Sequence, residues 1–449
     1  MKKNVSGWWS SLTLLVMVPA LFAEPSKPEQ SDAFTARAKA SVALLAKEDF
    51  SGFVTTCDST MQAALPTEKL QAIWQALIGQ MGVFKESDGV TIEERPQYDV
   101  ATVTCQFDHG PLDIQLAYNK NGKISGLHFL QSDQSAEYKT PDYAQPDSFH
   151  EHEVSVGTGA WALPGTVTLP NGKGPFPAVV LIHGSGPQDR DETIGPNKPF
   201  RDLAWGLASR GIASLRYEKR TKEYGDKLAP LKDSITIKEE VLDDARVAVA
   251  CLRNQPDIDP KRIFLLGHSL GGMLIPKIGK SEPGLAGFII MAGSTRPLED
   301  LVLEQVSYIF SLDSISADEQ EQIAELKKQV ARVKDPKLSP AVPATDLPLG
   351  LPAAYWLSLR GYNPGKMARG LKQPMLILQG GRDYQVTSAD FDNWKKPLSG
   401  RSNVTFRFYL KLNHLFIEGK GKITPTEYLI PGHVALEVIN DIVDWIKKQ

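Results

Sequence analysis

Three side chains suited to acyl transfer occur in the order Ser269, Asp383, His414. Gly267-His268-Ser269-Leu270-Gly271 fits G-x-S-x-G and stands between a short apolar run and a helix-like segment. A serine on such a sharp strand-to-helix turn presents its hydroxyl above the sheet. The hydroxyl is a weak nucleophile until a base takes its proton, and the base needs a carboxylate to hold its useful tautomer. Asp383 follows Met375 to Gln379 within Gly380-Gly381-Arg382-Asp383, and His414 follows Val404 to Tyr409 within Leu412-Asn413-His414. Ser, then acid, then His is the chain order this turn predicts. The oxyanion of such a reaction needs two backbone N–H donors. Leu270 supplies one, as the residue after the nucleophile. Ser185 is the choice for the other, in His183-Gly184-Ser185-Gly186-Pro187 after Ala178 to Ile182. Asp390 and Asp392 lie deeper in a helical stretch than Asp383, and His433 reads as a surface or capping residue at the start of the last helix. His268 reads as structural or pocket-lining rather than as the base, and His183 as a brace for its loop.

The elements that would position these residues alternate strand and helix. Ala178 to Ile182, Ile212 to Tyr217, Ile263 to Leu266, Gly287 to Ala292, Met375 to Gln379 and Val404 to Tyr409 read as strands. Phe200 to Arg210, Ile237 to Asn254 and His433 to Lys448 read as helices between and after them. This spacing predicts a doubly wound α/β sheet, with two antiparallel strands, Glu153 to Val156 and Ala160 to Leu169, ahead of it. Residues from about 297 to 370 interrupt the alternation with helical periodicity and dense charge, and read as a cap over the strand ends. Upstream, residues 32–130 predict a small α+β domain. Ala33 to Phe50 and Leu65 to Met81 carry helical stripes. Asp99 to Phe107, Leu112 to Tyr118 and Ile124 to Leu130 alternate as strands, the last two joined by a turn at Asn121-Gly122. Helices before a curved antiparallel sheet resemble the cone of nuclear-transport-factor-like (NTF2-like) domains. The Ser-, Asp-, Gln- and Pro-rich residues 131–150 read as a linker to the catalytic domain, residues 151–449.

The 449 residues are 42% hydrophobic and 23% charged, with 50 basic against 53 acidic side chains and a net charge of −3. That is the balance of a globular protein with no field for nucleic acid or anionic lipid, so neither is expected as a partner. Residues 1–23 read as a secretory signal peptide: Lys2 and Lys3, an apolar run from Leu12 to Val18, then Pro19 and small residues at Ala20 and Ala23. Export to the periplasm or medium is therefore expected, without a stable membrane anchor. An oxidising compartment allows a Cys57–Cys105 disulfide, and buried free thiols are the equal alternative.

Several segments together resemble a known family. They are His183-Gly184-Ser185-Gly186, Gln188-Asp189-Arg190-Asp191-Glu192, Arg216-Tyr217-Glu218-Lys219-Arg220 and Gly267-His268-Ser269-Leu270-Gly271-Gly272. They resemble bacterial α/β-hydrolase carboxylesterases of the EstD type, which carry a small extra N-terminal domain. The resemblance covers residues 150 to 449 well and the N-terminal domain loosely. It implies hydrolysis of a small-molecule carboxylic ester, with short acyl chains, by Ser269, His414 and Asp383, without metal or cofactor. Peptidase or amidase activity of the prolyl-peptidase-like type is the alternative, and a binding protein with a dead site is a third reading. Asp189, Arg190, Asp191 and Glu218 read as a buried ion-pair network that shapes the loop.

Overall fold

The computed structural model describes residues 28–94, 98–108, 110–132, 138–312, 315 and 317–449, so the expected signal peptide lies outside the described residues. No described helix is long and apolar enough to cross a membrane.

In the N-terminal part, α1 (Pro28–Ala46) and α2 (Thr67–Met81) pack on a four-stranded antiparallel sheet. Its strands run in the order β1 (Phe84–Glu94), β2 (Tyr98–Phe107), β3 (Gly110–Asn119), β4 (Ile124–Gln131). Side chains of β3 alternate between buried and half-buried, which is what a sheet with one covered face requires. Gly122, at φ 73°, makes the expected turn between β3 and β4. Strand β1 was not expected. Register shifts between Phe84 and Glu86 and between Ser87 and Val90 break its alternation, and it is a polar strand at the sheet edge. Cys57 and Cys105 are buried free thiols, not a disulfide. Burial pushes their pKa values up to about 11 and about 12.

Runs without a polar side chain form the centre of the second sheet. Ala178, Val179, Val180, Leu181 and Ile182 are all fully buried in β7 (Phe176–Ile182), because helices cover both faces of the sheet. With β5 (Phe149–Val156), β6 (Leu163–Pro170), β8 (Ala213–Tyr217), β9 (Ile258–His268), β10 (Gly287–Met291), β11 (Met375–Gly380) and β12 (Val404–Tyr409), it forms eight strands. Their order is β12-β11-β10-β9-β7-β8-β6-β5. Strands β8 to β12 and β7 are parallel; β5 and β6 are antiparallel. On one face lie α4 (Asp243–Arg253), α5 (Leu270–Ser281) and α9 (Ser388–Leu398). On the other lie α3 (Pro199–Ala208) and α10 (Leu436–Lys447). This is the α/β-hydrolase arrangement expected. Between β10 and β11 the chain forms α6 (Leu298–Phe310), α7 (Ala317–Lys334) and α8 (Ala353–Leu359).

The segment read as a linker differs from expectation. Strand β5 begins at Phe149, inside it, and Tyr138 is docked on α3, its hydroxyl donating to Asp202 at 2.6 Å under the Arg201 guanidinium. A polar average concealed the aromatic rings, which carry the packing.

Chain connection reverses at β7, whose neighbours are β8 on one side and β9 on the other. The crevice outside the carboxyl ends of strands at such a point is where open α/β sheets place their ligands. Ile182 pairs with Gly267, and His268 with Met291, so the loops after β7, β9 and β10 leave the sheet at one level.

Candidate active site

Ser269 stands between β9 and α5 with φ 52° and ψ −116°, a conformation that costs a non-glycine residue about 1–3 kcal/mol and persists only where its surroundings hold it. They do. The Ser269 N–H donates to the Met291 carbonyl at 2.9 Å, and its own carbonyl accepts from Met273 in the first turn of α5 at 2.9 Å. The turn is possible only with small neighbours. A Cβ on Gly267 would meet the Gly271 backbone at 2.5 Å, and one on Gly271 would overlap the Ile182 carbonyl. Ser269 thereby stands at the positive end of the α5 dipole, with Leu270 as the first residue of that helix.

Asp383 lies in the loop after β11, and His414 in the loop after β12. The His414 Nδ1 and Asp383 Oδ2 are 2.7 Å apart, and both side chains are almost wholly buried. The carboxylate is held on every side. Its Oδ1 accepts the N–H groups of Gln385 at 2.8 Å and Val386 at 2.9 Å, and its Oδ2 also accepts from Gln379 Nε2 at 3.2 Å. Gln379 was not singled out from sequence; it is the last inward-facing polar residue of an apolar strand, and that is the signal that marks it. The structure thus joins two of the three expected residues directly. The Ser269 hydroxyl makes no hydrogen bond with the His414 ring among the described residues. The His268 ring, next to the serine in sequence, packs 4.7 Å from that of His414 between centroids.

The loop after β7 meets the nucleophile. A Cβ on Gly184 would lie 3.2 Å from Ser269 Cβ, which places the Gly184-Ser185 backbone beside the serine. Ser185 is exposed and Leu270 buried. Beneath them is a pair that sequence reading missed. Glu192 accepts the Gly184 N–H through Oε1 at 2.6 Å, and its Oε2 lies 3.0 Å from His268 Nδ1. His268 Nε2 donates to the His414 carbonyl at 2.9 Å. Since Nε2 must be the donor there, an Nδ1 facing a carboxylate calls for the imidazolium. Burial alone would lower the His268 pKa, but the Glu192 carboxylate, the His414 carbonyl and the Asp383 charge together outweigh it and the value is raised. Burial likewise disfavours the Glu192 carboxylate, yet His268, His183 and the Gly184 N–H together hold its pKa below the ordinary carboxylate range.

The pair makes stability depend on pH. The raised His268 pKa stabilises the fold fully below the unfolded value of about 6.5 and loses that contribution as pH rises through the folded value. The lowered Glu192 pKa contributes above its unfolded value of about 4.3 and is lost as pH falls through the folded one. The pair is therefore strongest in the mildly acidic window between them. Glu192→Gln strands a buried cation and is expected to cost about 3–5 kcal/mol in urea unfolding at pH 6, with the difference from wild type shrinking as pH is raised. A constant difference across that range would show that the pair is not ionised.

The other candidates are placed elsewhere. Asp390, fully buried on α9, accepts from Thr295 and from the backbone and guanidinium of Arg296, anchoring the chain as it enters the helical insertion. Asp392 is exposed and pairs with Lys395. His433 is half-buried against Asp202, rather than free at the surface, and that hydrogen bond raises its pKa. His183 packs between Phe200 and Tyr217, and burial lowers its pKa to about 4, so it is neutral. The charged segments form ion pairs, part of them exposed: Arg190 with Glu218 and Glu153, Arg216 with Asp191 and Glu151, and Arg201 with Asp191. Asp189, expected among them, instead accepts from the Thr193 hydroxyl at 2.7 Å and from the N–H groups of Asp191 and Thr193, bracing its own turn. From the insertion, Tyr308 on α6 stacks on Tyr384, the residue after Asp383, with centroids 4.8 Å apart.

An eight-stranded sheet with a strained serine after β9 and a carboxylate–histidine pair after β11 and β12 defines an α/β-hydrolase. Esterase EstD of Thermotoga maritima is 40% identical over 404 residues, covering 90% of this chain and 93% of its own, and the chain belongs to that esterase family. A family described as a protein of unknown function (DUF3887) matches residues 38–127. Among solved structures, Est1E from Butyrivibrio proteoclasticus is similar at 15% identity and a TM-score of 0.43, covering 66% of this chain and 99% of its own. An acylaminoacyl peptidase from Pyrococcus horikoshii is similar at 14% identity and a TM-score of 0.44, covering 82% of this chain and 56% of its own.

Proposed function

We propose that the protein is a carboxylesterase acting on small esters with short acyl chains, by a two-step acyl transfer. The observation that carries this reading is the buried 2.7 Å contact of Asp383 with His414 at the sheet end where Ser269 is held in its strained turn. Ser269 attacks the ester carbonyl while His414 Nε2 takes its proton. The N–H groups of Leu270 and Ser185 hold the oxyanion. His414 then gives the proton to the departing alcohol, and water releases the acid by the same route. Asp383 keeps the Nδ1–H tautomer and balances the imidazolium.

Rates on p-nitrophenyl esters of increasing acyl length, measured beside aminoacyl p-nitroanilides, test the substrate class. Turnover greatest on acetate or butyrate is the expected result; preference for the anilides would replace this reading with a peptidase. Residues 1–23 support export, and N-terminal sequencing of the mature protein is expected to begin at Glu24.

A further inference from the structure

Lys219 is almost fully buried, at 2% exposure, directly behind the Gly184-Ser185 loop. Its ammonium donates to the Gly184 carbonyl at 2.6 Å and to Glu240 Oε1 at 2.5 Å. The Glu240 Oε2 accepts from the hydroxyl of Tyr355 at 2.6 Å, and Tyr355 is buried on α8 of the insertion. Glu240 itself sits in a π-helical turn, Lys238–Leu242, ahead of α4, a local widening that often marks functional positions. A buried charge with so few partners is costly to keep. Lys219 touches the carbonyl directly, and Glu240 and Tyr355 are linked to it through the ammonium.

That carbonyl belongs to the peptide whose N–H is Ser185. We propose that Lys219 is a positioning residue that strengthens the oxyanion donor: its cation, on the Gly184 oxygen, polarises the Gly184–Ser185 peptide and makes the Ser185 N–H a better donor to the reacting oxygen. This deepens the esterase reading above and rests on Ser185 as a donor. Resonance links the two ends of a peptide, so a charge on the oxygen draws electron density from the N–H. Hydrogen bonds in series strengthen one another in a low-dielectric interior. Glu192 grips the N–H of Gly184 on the other side, so the glycine between His183 and Ser185 is fixed at both its N–H and its carbonyl. Glu240 and Tyr355 hold the ammonium in place and connect the insertion to the donor.

The test uses the full chain carrying Lys219→Met together with Glu240→Gln. Neither charge is then left buried alone, and the amide oxygen introduced at position 240 still accepts from Tyr355. Lys219→Met alone is the second variant. Removing an oxyanion donor outright costs about 10²–10³-fold in kcat, so weakening one is expected to cost about tenfold. With a p-nitrophenyl ester, kcat falls about tenfold and KM stays within about twofold. The inhibition constant of an aryl trifluoromethyl ketone, whose hemiketal oxygen occupies the same donors, rises by the same factor as kcat falls. A merely structural lysine would not move these two together. A folded double variant with kcat within about twofold of wild type overturns the proposal, as does a loss carried by KM with inhibitor affinity unchanged. If the double variant does not fold, the single variant is judged by the same criteria. Absence of ester turnover in the wild type would overturn the esterase reading itself, which is a distinct outcome.

Discussion

Ser269→Ala is expected to lower kcat on a p-nitrophenyl ester by about 10⁵-fold or more while leaving the fold intact. The hydrogen bonds that fix Ser269 among the described residues are made by its backbone, and the glycines around it leave room for the turn. The hydroxyl contributes no hydrogen bond to the His414 ring among the described residues, so its removal takes away the nucleophile and little else. Alanine meets the same penalty at φ 52° as serine, so the thermal midpoint is expected to stay within about 2 °C of wild type. Residual turnover would come from water attacking in the oxyanion site, which accounts for about 10³–10⁴-fold over solution in such enzymes. Covalent labelling by a fluorophosphonate disappears in the variant. A Ser269→Ala protein that still turns over ester at more than a hundredth of the wild-type rate would remove the serine from the mechanism.

What could be read in the sequence, and what could not, divides along a physical line. Ser269, Asp383 and His414 were legible because each stands within a few residues of the end of a strand-like run, and a parallel sheet puts the ends of such runs at one edge. The central strands β7, β10 and β11 were legible because burial on both faces fills them almost wholly with Ala, Val, Ile, Leu, Met and Phe. Edge strand β1 was hidden, since its polar surface and register shifts erase the period of two. Tyr138 was hidden within a polar segment. The Glu192–His268 and Lys219–Glu240–Tyr355 contacts were hidden for a deeper reason. Each joins residues on different elements, with Tyr355 and Glu240 separated by 115 positions, and a charged residue in isolation reads as a solvated one. The segments Asp189-Arg190-Asp191-Glu192 and Glu218-Lys219-Arg220 did stand out as motifs. Their roles emerged only when the fold closed over them and left Glu192 and Lys219 on opposite ends of Gly184. A dense run of both charge signs beside an oxyanion loop is the sequence-level sign of such bracing, and it names the segment without naming the pairs.

Asp383→Asn is expected to lower kcat by about 10⁴-fold with only a small change in stability, and the hydrogen bonds around the residue say why. An asparagine at this position has one oxygen for the two positions that now accept. The Oδ1 position faces two backbone donors, Gln385 and Val386, and burying both against an NH₂ group would cost about 1–3 kcal/mol for each N–H left unpaired. The amide oxygen therefore stays there, and the NH₂ turns to His414. An NH₂ group can pair with Nδ1 only if Nδ1 carries no proton, so the imidazole is driven to the tautomer with its proton on Nε2. In that form Nε2 carries a proton and cannot take that of the Ser269 hydroxyl, as the proposed mechanism requires. Gln379 loses its acceptor as well, but keeps the Val386 carbonyl at 2.7 Å, which limits the loss of stability. Nitrogen NMR of the His414 ring would report the change of tautomer, and kcat at neutral pH its consequence. A variant that loses less than about tenfold would show that Asp383 does not set the tautomer, and that the 2.7 Å contact is structural.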